Sequence, residues 1–127
     1  MKEQTEFNPL MHELKHFSGS EHFYKFASFG SSQFIYTDGI MHLVQKGECV
    51  WLLFEIGSYQ GLKSFKDEEF QTWELVVNDK SEAVLKCHDG DYNYLIKKEI
   101  PFTDIPLQNQ TLTLYLVNGT LMLPSEY

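Results

Sequence analysis

The sequence predicts an α+β domain in which N-terminal helices pack on a C-terminal antiparallel β-meander of four to five strands. Three features carry that expectation. From Phe70 onward the apolar period of the regular runs changes from helical to two. The alternating runs are separated by Asn78-Asp79, Asp89-Gly90, a Pro-bounded loop and Asn118-Gly119, and such short links suit antiparallel neighbours rather than parallel crossovers. Upstream, CVWLLFEIGSY is apolar nearly all round, as a helix buried on more than one side would be. Helices followed by a sheet is the α+β layout, and 127 residues fit a single domain, 1–127.

Asn8-Pro9 is a helix start, Asn as the cap and Pro at the first helical position, with Leu10, Leu14 and Phe17 at helical spacing and Gly19 as the stop. From Ser18 to Gln33 small residues and scattered aromatics predict an irregular segment. Phe34 to Thr37 reads as a short strand ended by Asp38-Gly39, with Asp38 as a cap for the helix of IMHLVQ, which closes at Gly47. The buried helix follows, carrying Glu55 as its one charge, and GLKSFKDEE is a charged loop. FQTWELVV, EAVLKCH, YNYLIKKEI, TLTLYLV and TLML are the strands. Trp73, Leu75 and Val77, then Ala83, Leu85 and Cys87, then Leu112, Leu114 and Leu116 share the face that lies under the buried helix.

Residues 12 to 22, HELKHFSGSEH, match the zinc-peptidase spacing H-E-x-x-H-x-x-G-x-x-H. In that chemistry His12, His16 and His22 hold the metal and Glu13 takes a proton from the metal-bound water. Three observations oppose it. At 100° per residue His12 and His16 fall on the side of the helix away from Leu10, Leu14 and Phe17. No sheet precedes the helix to build a cleft, and neither Met41 nor Met122 sits in a turn that could lie beneath a metal. The match reads as coincidence in a chain with five histidines, and no cofactor is expected. Asp89-Gly90-Asp91-Tyr92-Asn93 begins like a calcium loop but has Tyr94 and Ile100 where Gly and Glu belong. Asp38 with Glu55 as an acid–base pair is less economical than a cap and a surface carboxylate.

Acidic residues outnumber basic ones by 18 to 10, and all ten bases are lysine. Without arginine or a basic face, direct reading of nucleic acid is disfavoured, while an acidic mimic of nucleic acid stays open as an alternative. Ten Phe, seven Tyr and two Trp supply a core that needs no disulfide or metal. Cys49 and Cys87 are far apart and outside any C-x-x-C pattern, the first residues lack a secretory apolar stretch, and no run is long enough to span a membrane. A cytoplasmic chain is expected.

FSGSEHFY, YTDGIMHLV, WLLFEIGSYQ, FQTWELVV, PFTDIPL and LMLPSEY together resemble a family of small uncharacterised bacterial proteins, carried also by phages and plasmids, classed as a domain of unknown function. The resemblance covers nearly the whole chain and implies no activity, ligand or catalytic residue; His12, His16 and His22 fall at positions its pattern does not fix. The reading that follows is a non-enzymatic binding or accessory module of mobile elements, working through a protein partner and not through a membrane. Its rival is a zinc-dependent hydrolase; the oligomeric state is open. The surface that a partner would read is placed at Tyr36, Asp38, Ser125, Glu126 and Tyr127, with the last ring buried against a sheet edge or helix.

Overall fold

The structure is a computed structural model and describes residues 7–27 and 34–127. Its elements run α1 (Pro9–Leu14), β1 (Phe23–Phe26), β2 (Phe34–Thr37), α2 (Asp38–Gly47), α3 (Val50–Tyr59), α4 (Lys63–Lys66), β3 (Phe70–Val77), β4 (Ala83–His88), β5 (Tyr94–Ile100), β6 (Thr111–Val117) and β7 (Thr120–Met122), closed by a 3₁₀ turn at Pro124–Glu126.

The expected four- to five-stranded meander with helices in front is corrected by this order. Among the described residues seven strands join one mixed sheet, in the order β1-β2-β7-β6-β3-β4-β5, with β2 and β7 parallel and the other neighbouring pairs antiparallel. Two strands precede α2, so helices and strands interleave. β6 lies beside β3 rather than β5, which makes β3 to β6 a Greek key. The cause lies in residues 101–110. Ile105 and Leu107 are fully buried, and the Thr103 N–H donates to the Ser81 carbonyl at 2.9 Å, so the segment is drawn back past the β3–β4 turn. A hairpin link would have left both apolar side chains in water.

The inner face is the one the alternation marks. Trp73, Leu75 and Val77 lie opposite Cys87, Leu85 and Ala83 on one side, and Trp73 and Leu75 lie opposite Leu114 and Leu112 on the other; all are buried. α3 touches this face at several strands: Gly57 at Phe26 of β1, Tyr59 at Trp73 of β3, and Glu55 at Lys98 of β5, where Oε2 and Nζ are 2.6 Å apart. Gln60 and buried Gln71 exchange side-chain amide bonds of 2.9 and 2.8 Å, and the Trp73 indole N–H donates to the same Gln71 oxygen at 3.0 Å, so the polar groups under the helix end are satisfied.

Local expectations fared unevenly. Asn8 caps α1 through a 3.0 Å bond from the Met11 N–H, but the helix stops at Leu14 rather than running to Phe17. Part of the segment expected to be irregular is β1, whose Phe26 is buried against Phe34; residues 28–33 lie outside the described residues. Thr37, not Asp38, caps α2, its hydroxyl accepting from the Ile40 N–H, and the left-handed residue after the helix is Glu48 rather than Gly47. Gly47 is small for another reason: a Cβ there would stand 3.3 Å from the Cys49 sulfur and 3.4 Å from Ile105. α3 buries Leu52, Leu53 and Ile56 but leaves Val50 and Phe54 half exposed, so it is covered on one side only. Within the expected charged loop, Phe65 of α4 is buried and stacks on Trp73 at 5.9 Å. Asn118 and Gly119 both take positive φ, as a tight two-residue hairpin requires. β5, at one edge, is blunted by Lys97, Lys98, Glu99 and an irregularity at Leu95.

Gly57 offers a test of how α3 meets β1. A Cβ there would lie 2.8 Å from the Phe26 ring, which Phe34 and Phe54 pin from two sides. Helix propensity alone predicts that Gly57→Ala gains about 1 kcal/mol. Overpacking reverses the sign, and urea denaturation should show a net loss of about 1–2 kcal/mol.

Candidate functional site

At the C-terminus, the chain after β7 turns back on the start of α2. Glu126 Oε1 accepts from the Thr37 hydroxyl at 2.6 Å and from the Leu123 N–H at 3.0 Å, and Oε2 accepts from the Gly39 N–H at 3.1 Å. A carboxylate is favoured there because the first amides of a ten-residue helix are unpaired and carry its positive end. Gly39 allows the approach, since a Cβ on it would stand 2.6 Å from Glu126 Oε1. The Ser125 hydroxyl donates to the Leu14 carbonyl at 3.4 Å, tying the same turn to α1.

Asp38 faces the other way from the same helix start. Its Oδ1 accepts from the Tyr24 hydroxyl at 3.0 Å and its Oδ2 from the Glu21 and His22 amides at 3.3 Å each, while its own N–H donates to Ser20 Oγ at 2.9 Å. Desolvation pushes the Asp38 carboxyl upward, but these hydrogen bonds outweigh it and hold the group below its ordinary value. The hydrogen bond to Asp38 in turn raises the Tyr24 phenol, whose ring packs on Tyr36 at 5.5 Å. Of the residues proposed from sequence as a partner surface, Tyr36, Asp38, Ser125 and Glu126 therefore spend their polar atoms or rings on contacts within the chain. Glu55, considered as a partner for Asp38, is instead bonded to Lys98 on the opposite edge strand.

The histidines of the zinc-peptidase pattern are dispersed. Glu13 Oε1 lies 2.6 Å from His42 Nε2, His22 Nδ1 lies 3.7 Å from Asp38, and His12 and His16 face each other with their Nε2 atoms 3.4 Å apart. Among the described residues no three His, Cys, Asp or Glu side chains gather closely enough to hold a metal ion. α1 ends two residues before His16, and the chain then leads to Asp38 rather than back to the pair. Both cysteines are buried and unpaired, and burial pushes the Cys49 thiol up to about 12 and the Cys87 thiol higher than usual, so neither is a ready nucleophile. Asp89 accepts from the Asp91 and Asn93 amides and from the Asn93 side chain, which is turn chemistry.

The outer face of the sheet carries a feature that inward-facing periodicity does not announce. Phe70, Tyr115 and Tyr127 form a triangle of rings with centroids 5.1 to 5.6 Å apart. Tyr127 is 72 % exposed, against the expectation of a buried ring. Thr72 pairs with both Tyr115 and His88 and links the triangle to a second cluster. There His88, buried although it sits on the outer face, stacks under Tyr92 at 4.7 Å and meets the edge of Tyr94 at 5.2 Å. Its Nδ1 accepts from the Gly90 N–H at 3.1 Å, which places the ring proton on Nε2, 3.8 Å from Glu74. The Tyr94 hydroxyl donates to Glu74 at 3.4 Å. Tyr92 is 72 % and Tyr94 48 % exposed. The signal in the sequence is the outward parity of Phe70, Thr72 and Glu74, which matches that of Tyr115 and His88.

A protein-family model described as "Family of unknown function (DUF6876)" matches residues 8–127. No curated protein and no solved structure matches the chain.

The lowered Asp38 carboxyl fixes the sign of one pH effect. Its folded value lies below the unfolded one, so its contribution is complete above about pH 4 and disappears as pH falls through the folded value. Thermal melts should therefore show Asp38→Asn less stable than the parent near neutrality, with the two curves converging in acid below about pH 4. A gap that widens in acid would contradict the assignment.

Proposed function

The chain belongs to the DUF6876 family of unknown function, and from that premise we propose that it is a non-enzymatic binding module that docks a protein partner on the outer face of its sheet. The observation that carries the reading is the pair of aromatic clusters joined across Thr72, with Tyr92, Tyr94 and Tyr127 standing out into solvent. Exposed aromatics on a rigid sheet lose little side-chain entropy when covered, and tyrosine is a favoured anchor at interfaces. The polar clusters elsewhere support a binding role over catalysis, because their carboxylates are engaged in caps, turns and side-chain pairs within the chain. No described helix is long and apolar enough to cross a membrane. The same proposal puts the chain in the cytoplasm as an accessory protein of mobile elements, and its net charge of −8 favours a partner with a basic surround.

The test begins with the partner recovered from the native cell by the tagged chain and purified separately. Titration should show Tyr92→Ala with Tyr127→Ala weakening the complex by about tenfold or more. Tyr92 stacks on His88 and Tyr127 packs on Phe70 and Tyr115, so the melting temperature should fall by a few degrees, and affinity is compared at a temperature where both proteins are folded. A partner that binds parent and double variant alike would remove the outer face as the docking surface.

A further inference from the structure

The His12–His16 pair is left over once the zinc-peptidase constellation is set aside, and its geometry is specific. The two Nε2 atoms are 3.4 Å apart while the ring centroids are 4.9 Å apart, so the Nε2 edges of the two rings face each other. Two nitrogens bound to one zinc ion at about 2.0–2.1 Å and at the tetrahedral angle are separated by about 3.3–3.4 Å. At the right angle preferred in octahedral or square-planar sites the separation would be about 2.9 Å. The observed spacing fits the first.

We propose that His12 and His16 chelate a single zinc ion at the surface of the chain, with water in the remaining positions. The site differs from the peptidase reading in ligand set and consequence: His22 is held at Asp38 and Glu13 at His42, so the metal gains neither a third histidine nor a base. Local structure assembles the pair. The Asn8 cap and Pro9 start α1, and the αR residue Lys15 continues its turn beyond Leu14, so that His16 follows His12 at i+4 on the exposed side. The Phe7 ring packs on His12 at 5.2 Å and restricts its rotation. Without metal the two Nε2 atoms face each other at 3.4 Å, and zinc binds between them.

Calorimetric titration of the full chain with zinc chloride at pH 7.5 should give one saturable site. His12→Ala and His16→Ala should each weaken it by about tenfold or more, because a chelate becomes a single ligand. His22→Ala should leave the affinity unchanged. Cobalt bound in place of zinc should show the intense visible bands of a tetrahedral ion. An equal loss in His22→Ala would restore the three-histidine signature and overturn the proposal. So would affinity unaffected by either variant of the pair, binding that does not saturate, or an octahedral cobalt spectrum.

Discussion

The carboxylate of Glu126 accepts hydrogen bonds from the Thr37 hydroxyl and from the Gly39 and Leu123 amides, one residue before the end of the chain, and the two parts of the sheet are joined next to it. β1 and β2 form a ribbon whose strand pairing to the larger body is the short parallel contact of β2 with β7, Ile35 opposite Thr120 and Tyr36 opposite Leu121. Two register pairs make a weak ladder. What reinforces it is the helix that begins where β2 ends: α2 starts at Asp38, and Glu126 pins that start to the turn that follows β7. A charge-assisted bond at a helix N-terminus stabilises more than a neutral one, and here it acts on both sides of the junction at once.

The same closure shapes the outer face. Docking of Pro124–Glu126 leaves Tyr127 directed at Phe70 and Tyr115, so the end of the chain completes the aromatic triangle. At the other cluster, the Asp89 turn and Gly90 fold the β4–β5 link over His88, which buries an imidazole on a face otherwise open to water. The helices shield the inner face and leave the outer one free to carry tyrosines. Structural economy and the proposed binding role thus meet in the C-terminal residues.

Much of the sheet was legible because alternation reports local geometry: the inward sets in β3, β4 and β6 and the Asn118-Gly119 hairpin follow from period and turn chemistry alone. The neighbour of β6 was not legible. Its position follows from the burial of Ile105 and Leu107, two apolar residues inside a Pro-bounded stretch that has no period of its own. β1 escaped for a related reason, since four residues suffice for a strand only when a partner is in place, and Phe26 gains its burial from Phe34 and α3. Around Asp38 and Glu126 the residue types could be picked out but not their occupation. Sequence places a carboxylate near a turn; the fold decides whether its lone pairs face a ligand or the amides of α2. The aromatic platform was hidden because each ring sits at an outward position that, strand by strand, looks like ordinary solvent-facing surface.

The central claim, that Glu126 holds the β1–β2 ribbon to the rest of the sheet, is tested most directly by amide hydrogen exchange on Glu126→Ala. The reporter is the Ile35 N–H, which donates to the Gly119 carbonyl at 2.9 Å across the junction. The account predicts that its protection falls by about tenfold or more while the amides of Trp73 and Leu85, deep in the β3–β4 pairing, change far less. Protection of Ile35 that is unchanged, or that falls only in step with Trp73 and Leu85, would contradict it.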